Sequence, residues 1–245
     1  MKKIIVLCFI AINLFAISSK EIAKKNYETT SGFKSSISKI DLILINNSGT
    51  KSKRIFKSKI LEQQNGNKNL IEFIYPKDIL GTKLLTYEFL NKSDKQWLYL
   101  SAIKRTKKIS NNNKSSSFMG SEFTYEDIMK SHYEKYIYKN EYNKTLKLYI
   151  ITRIPKDFTS GYKKQIMYIN KKSFLLEKIE YFNQQNRLFK VCNFNNYREQ
   201  NNIYSSYEIH MKNILTKKES LLITKEKKIF TNLKEKEFSK MALGE

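Results

Sequence analysis

The chain has 245 residues, enough for one large all-β domain or two small ones, and length alone does not choose between them. With only two cysteines, a framework of internal disulfides is excluded and stability must come from a core, which 40% hydrophobic and 13% aromatic residues can supply. The formal charge of +23 has two readings: lysines scattered over every solvent-facing position, or attraction toward acidic lipid headgroups.

Lys2 and Lys3 precede an apolar run from Ile4 to Ile17, and Ala16-Ile17-Ser18 offers small residues where a signal peptidase would cut. Residues 1–18 therefore read as an export signal removed near Ser18/Ser19, with an uncleaved anchor as the alternative. The run is shorter than the ~20 residues that span a bilayer comfortably. Cys8 lies too early in it, without small residues before it, to carry a lipid, so a soluble mature chain is expected in the periplasm. Cys192 is then its only cysteine. Export also argues against nucleic acid as the target of the positive charge.

Residues 20–31 predict a short helix, after which two-residue alternation dominates. Ile40, Leu42 and Leu44 alternate along a first strand, and the tract 46–53 turns the chain into a second over 54–62. Asn65-Gly66 is a hairpin signal before a third over 70–75. Further strands are predicted over 83–90, 96–100 and 103–109. Beyond a polar loop, Thr124 to Lys130 predicts one or two helical turns, with Thr124 as cap and Asp127 three residues on. Strands resume over 133–138, 146–153, 163–170, 174–183, 188–197, 203–212 and 220–225, and residues 230–243 predict a closing helix. The connections are hairpin-sized, which implies sequential antiparallel neighbours in one sheet of roughly a dozen strands, and such a sheet must curl. With no break in composition, residues 19–245 read as a single domain.

Conventional catalysis has little to work with. His132 and His210 stand far apart without metal-ligand spacing, and there is no phosphate-cradling glycine loop or Gly-x-Ser-x-Gly turn. Glu122, Glu126 and Asp127 are explained as acids opening a short helix. No enzyme activity, metal or cofactor is expected. The informative block is Ser115 to Ile128, where Phe118, Met119, Phe123 and Tyr125 follow the flexible tract SNNNKSSS, with Gly120 as a candidate hinge. These residues read either as core anchors or as a flap over an apolar cavity. Two aromatic pairs, Tyr87 with Phe89 and Trp97 with Tyr99, read as plain core or as ligand wall.

Gly81-Thr82, Trp97-Leu98-Tyr99-Leu100, the basic segment Lys104 to Lys108 and Ser117 through Asp127 together resemble the signature of outer-membrane lipoprotein-sorting proteins of the LolA-like superfamily. Ser101 stands where proline is expected and Glu122 where aspartate is usual, departures that bear on local loop geometry. The resemblance implies a mainly β fold with few helices: a strongly curved antiparallel sheet forming an incomplete barrel, its concave apolar interior covered by short helices and receiving acyl chains. It further implies a periplasmic carrier of lipid or lipoprotein acyl chains, with a resistance-nodulation-division type inner-membrane transporter as partner. Its alternative is a sensor or adaptor of the same fold that binds a protein.

Overall fold

The computed structural model describes residues 17–139 and 143–244. Residues 1–16 of the expected leader lie outside them. The single α-helix among the described residues, α1 (Ser19–Thr29), starts where Ser18 Oγ accepts the Glu21 N–H at 3.1 Å. Its buried side chains include Ile22 and Ala23, one turn of apolar stripe against the sheet. The capping serine therefore belongs to the segment assigned to the leader.

Among the described residues fourteen strands follow: β1 (Ser35–Ile45), β2 (Lys51–Leu61), β3 (Lys68–Tyr75), β4 (Lys83–Tyr87), β5 (Lys95–Leu100), β6 (Arg105–Ile109), β7 (Tyr136–Tyr138), β8 (Asn143–Lys144), β9 (Leu148–Pro155), β10 (Lys164–Asn170), β11 (Leu176–Phe182), β12 (Leu188–Gln200), β13 (Ile203–Asn213) and β14 (Glu219–Ile229). They make one antiparallel sheet in the order β6-β5-β4-β3-β2-β1-β14-β13-β12-β11-β10-β9-β7, with β8 also on β9. The sheet does not close into a barrel by strand pairing. Two meanders are joined in its middle, because β1 pairs with β14 from Ser36↔Ile229 to Ile45↔Glu219.

Alternation fixes which residues face inward. In β10, Gln165, Met167 and Ile169 are buried while their neighbours are not. Met211, Cys192, Ile179, Met167 and Ile151 stand directly opposite one another across five strands and form one buried row. Ile71, Leu84 and Leu98 form the matching row in the other half. Both rows, with Leu42, Phe56 and Phe73, belong to one apolar cluster, so the two halves curl around a shared interior.

Three expectations change. β1 begins at Ser35 rather than Ile40, because the buried Ser35, Ser36 and Ser38 extend it without apolar side chains. Residues 124–130 form turns rather than a helix. Asp127 Oδ2 accepts the Thr124 N–H at 2.8 Å, so the capping pattern closes a turn instead. Residues 230–243 make two short 3-10 turns, Glu235–Phe238 and Met241–Leu243, and not an α-helix.

Those turns cover the opposite face of the sheet. Leu70, Leu85 and Trp97 form an outer row across β3, β4 and β5, and Phe238 and Leu243 bury themselves completely against it. Lys59 pairs with Glu237 at 2.8 Å, Lys68 pairs with Glu235, and Lys83 Nζ donates to the Ala242 carbonyl at 3.1 Å. The segment is thus held at both turns.

Candidate functional site, the interior of the curled sheet

The chain from Lys114 to Ile128 leaves the edge strand β6 and runs across the interior. Phe118 is completely buried, its ring centroid 5.8 Å from Phe73, 6.4 Å from Phe56 and 5.7 Å from Tyr125. Phe123 and Tyr125 are buried in the same cluster, and Met119 packs against it while partly exposed. Gly120 follows with φ +76°, its position beside Leu44 and Arg54. The interior is therefore filled by this segment.

What holds the segment is polar and reaches both halves of the sheet. Arg54 donates to the Met119 carbonyl from β2, and Gln96 Nε2 to the Tyr125 carbonyl at 2.9 Å from β5. From the other half, Lys190 Nζ donates to the Glu122 carbonyl at 2.6 Å, and Ser220 Oγ accepts the Glu122 N–H at 3.0 Å. Asn213 Nδ2 donates to the Glu122 carboxylate at 2.7 Å. Tyr162 OH donates to Asp127 Oδ2 at 2.7 Å. Buried backbone outside a strand must find such partners, and here side chains of the sheet provide them.

Glu126 accepts from Ser160 Oγ at 2.8 Å and from the Gly161 N–H at 2.9 Å. Its carboxyl is pushed up to about 7, first by burial and then by the charge of Asp127, against the Gly161 and Ser160 bonds and the charge of Lys114. Nearby, two ion pairs cross from the β6 side to the β7–β9 side, the two margins that no strand pairing joins. Lys114 pairs with Asp157, and Lys135 with Asp94 at 2.6 Å. Ser93 Oγ also donates to Asp157 at 2.9 Å. Burial raises the Asp157 carboxyl, but the bonds from Lys114, Thr159 and Ser93 outweigh it and hold the group well below the usual range.

The eight aromatic and methionine candidates do not converge on one place. Phe118, Met119, Phe123 and Tyr125 are at the interior. Tyr87, Trp97 and Tyr99 are on the outer face beneath the C-terminal turns, with Tyr87 and Trp97 ring centroids 5.1 Å apart and Tyr87 OH donating to the Phe238 carbonyl. Phe89 lies past the end of β4, where Lys92 Nζ is 4.3 Å and Lys95 Nζ 5.9 Å from its ring centroid. The reason is period two. In Trp97-Leu98-Tyr99-Leu100 both faces are apolar, and the register gives the interior to Leu98 and Leu100. Phe56, Phe73, Ile151 and Met211 were not singled out from the sequence, although the alternation of their strands carries the signal.

His132 stacks on Tyr133 with ring centroids 4.5 Å apart, and His210 meets Glu219 at 2.7 Å. Among the described residues no group of three or more histidine, cysteine or acidic side chains is arranged to hold a metal ion, and no helix is long and apolar enough to cross a membrane.

A sequence family described as uncharacterized protein matches residues 65–245. A solved outer membrane lipoprotein-sorting protein domain from Vibrio parahaemolyticus is 34% identical, over 92% of this chain and 98% of its own, with a TM-score of 0.88. A DUF1329 family protein from Desulfovibrio piger is 23% identical over 91% of this chain and 97% of its own, with a TM-score of 0.85. A LolA superfamily protein from Nitrosomonas europaea is 16% identical over 93% and 100%, with a TM-score of 0.74. No curated protein matches the chain.

Proposed function

Because the chain belongs to the LolA-like family of outer-membrane lipoprotein-sorting proteins, we propose that it is a periplasmic carrier whose interior exchanges the Phe118 to Tyr125 segment for lipid or lipoprotein acyl chains. One observation carries this reading. The segment 114–128 brings three buried aromatics, Phe118, Phe123 and Tyr125, into the interior, is held there by side-chain bonds to its backbone, and pairs with no strand of the sheet.

The magnitudes make the two occupants of the interior comparable. Burying one acyl chain of about fourteen methylenes gives roughly 11 kcal/mol at ~0.8 kcal/mol per methylene. Withdrawing three large side chains forfeits about 1.5–3 kcal/mol each. The apolar difference is then a few kcal/mol, and the side-chain bonds that hold the segment, each worth about 0.5–1.5 kcal/mol, have to be made again to water or to the cargo. The chemistry is binding without covalent change, cargo moving toward the outer membrane, and a resistance-nodulation-division type inner-membrane transporter is part of the proposal as partner.

The test is mass spectrometry of the protein purified from its own periplasm, joined to displacement of an environment-sensitive apolar dye. Co-purified acyl lipid and displacement of the dye by fatty acid are expected. A folded protein that carries no lipid and takes up no dye would overturn the carrier and favour the sensor or adaptor.

A further inference from the structure

Two turns at neighbouring strand ends project apolar side chains that the core does not use. The turn after β3 exposes Leu80 by 52%, and the turn after β5 exposes Ile103 by 59%. Tyr75, at the end of β3, is half exposed beside them in sequence. Two large apolar side chains held in water on neighbouring turns are unfavourable for the isolated molecule.

The pair is fixed in place. Ser101 Oγ donates to the Leu80 carbonyl at 2.6 Å and lies 3.2 Å from Thr82 Oγ1, locking one turn to the other. Gly81 takes φ +77°, a left-handed conformation that other residues rarely adopt, and so sets the shape of the first turn. Its N–H donates to the Phe73 carbonyl at 2.8 Å, and the Thr82 N–H to the Ile79 carbonyl at 3.0 Å. Ile79 packs inward on the interior cluster, while Leu80 turns outward. Lys104 closes the second turn in the left-handed region, φ +50°. The apolar tip is thus presented by a rigid support.

Its surroundings are basic. Lys77, Lys104, Arg105, Lys107 and Lys108 flank the two apolar residues, all exposed, against a single acid in the two turns, Asp78. The basic run continues along β6, an edge strand with one neighbour only. An apolar tip with Lys77, Lys104 and Arg105 beside it matches the headgroup region of an anionic bilayer, where the chains accept Leu80 and Ile103 and the phosphates meet the basic side chains. Asp78 also acts electrostatically on Arg54, the residue that holds the Met119 carbonyl, so this tip borders the interior segment.

We propose that the Leu80–Ile103 tip docks the protein on an anionic membrane surface. The partner is the lipid itself, recognised by charge together with shallow insertion. This does not depend on what the interior carries.

The test is co-flotation of the purified protein with protein-free vesicles of phosphatidylglycerol in phosphatidylcholine, against vesicles of phosphatidylcholine alone. Binding to the anionic vesicles that falls as salt is raised is expected. Leu80→Ser with Ile103→Ser, and separately Lys77→Glu with Lys104→Glu, should each weaken binding roughly tenfold or more while leaving the thermal midpoint and dye uptake unchanged. Lys225→Glu with Lys228→Glu, in β14, tests whether total charge alone suffices and should weaken binding far less. Equal binding to neutral vesicles, no binding by the wild type, or equal losses from the β14 pair would overturn the proposal. So would retention only on native inner-membrane vesicles, which would assign the tip to a protein.

Discussion

Glu126 Oε1 accepts the backbone N–H of Gly161 at 2.9 Å, joining the segment that crosses the interior to the connection between β9 and β10. The contact requires glycine. A Cβ at position 161 would lie 2.7 Å from Ser115 Cβ and 3.1 Å from Glu126 Oε1. The acid and the glycine are thus two halves of one fastening.

That fastening titrates near neutrality. Since burial raises the folded value of Glu126 from 4.5 to about 7, the native state holds this proton more tightly than the unfolded chain. Its contribution is complete below about pH 4.5, declines between 4.5 and 7, and is gone above about 7, with an upper limit of about 3 kcal/mol. Denaturant unfolding between pH 5 and 8 should show this slope in the wild type. Glu126→Gln should flatten it and gain stability at the alkaline end. An unchanged slope would separate Glu126 from the effect.

Asp157 works with the opposite sign. Its folded value is depressed, so its contribution is present above the unfolded carboxylate range and lost as the pH falls through the acid range. Asp157→Asn should cost about 1–2 kcal/mol at neutral pH, allowing for solvent screening at a partly exposed pair. The cost should vanish in strong acid. Because Lys114–Asp157 and Lys135–Asp94 span the unpaired margins of the sheet, Asp94→Asn with Asp157→Asn should also speed dye entry, read by stopped-flow fluorescence.

Phe118 and Met119 should behave differently from each other. Phe118→Ala removes a fully buried ring and should cost about 3–5 kcal/mol in denaturant unfolding, whereas Met119→Ser, partly exposed, should cost well under half of that. If the segment yields its place to acyl chains, Phe118→Ala should at the same time bind fatty acid more tightly, because less apolar contact is given up. Loss of both stability and affinity would make Phe118 a wall of the site.

On the outer face, Phe238→Ala should cost about 3–5 kcal/mol and Leu243→Ala about 2–5 kcal/mol, since both are fully buried against Leu85 and Trp97. Indole fluorescence of Trp97 reports the uncovering directly. A red shift is expected in Phe238→Ala, and none in Phe118→Ala, whose ring is on the other face.

Most strands were readable because alternation such as Gln165, Met167 and Ile169 leaves few other solutions, and the hairpin-sized turns gave the order within each half, whereas the β1–β14 pairing that splits the expected single meander in two has no local signal. The motif block was also readable as something other than strand. Its partners were not: Glu126 finds Ser160 and Gly161 more than thirty residues away, and no local pattern encodes that meeting. Trp97 and Tyr99 are core, one of their two readings, but which face of the sheet they join was not legible, because aromatic size says nothing about face when Leu98 and Leu100 are equally apolar. The residues 235–243 favour helix by propensity, but Phe238 and Leu243 have to reach one apolar row, and short 3-10 turns bring both down onto it.

The pairing of β1 with β14 sets the order in which the molecule can be assembled. A chain made from its N-terminus has β1 and β2 early, but the centre of the sheet stays open until residue 229 is available, and the outer row stays bare until Phe238 and Leu243 arrive. The whole sheet cannot be complete before β14 is. Contacts so distant in sequence form slowly, so the centre of the sheet and its outer row are the last surfaces to be covered.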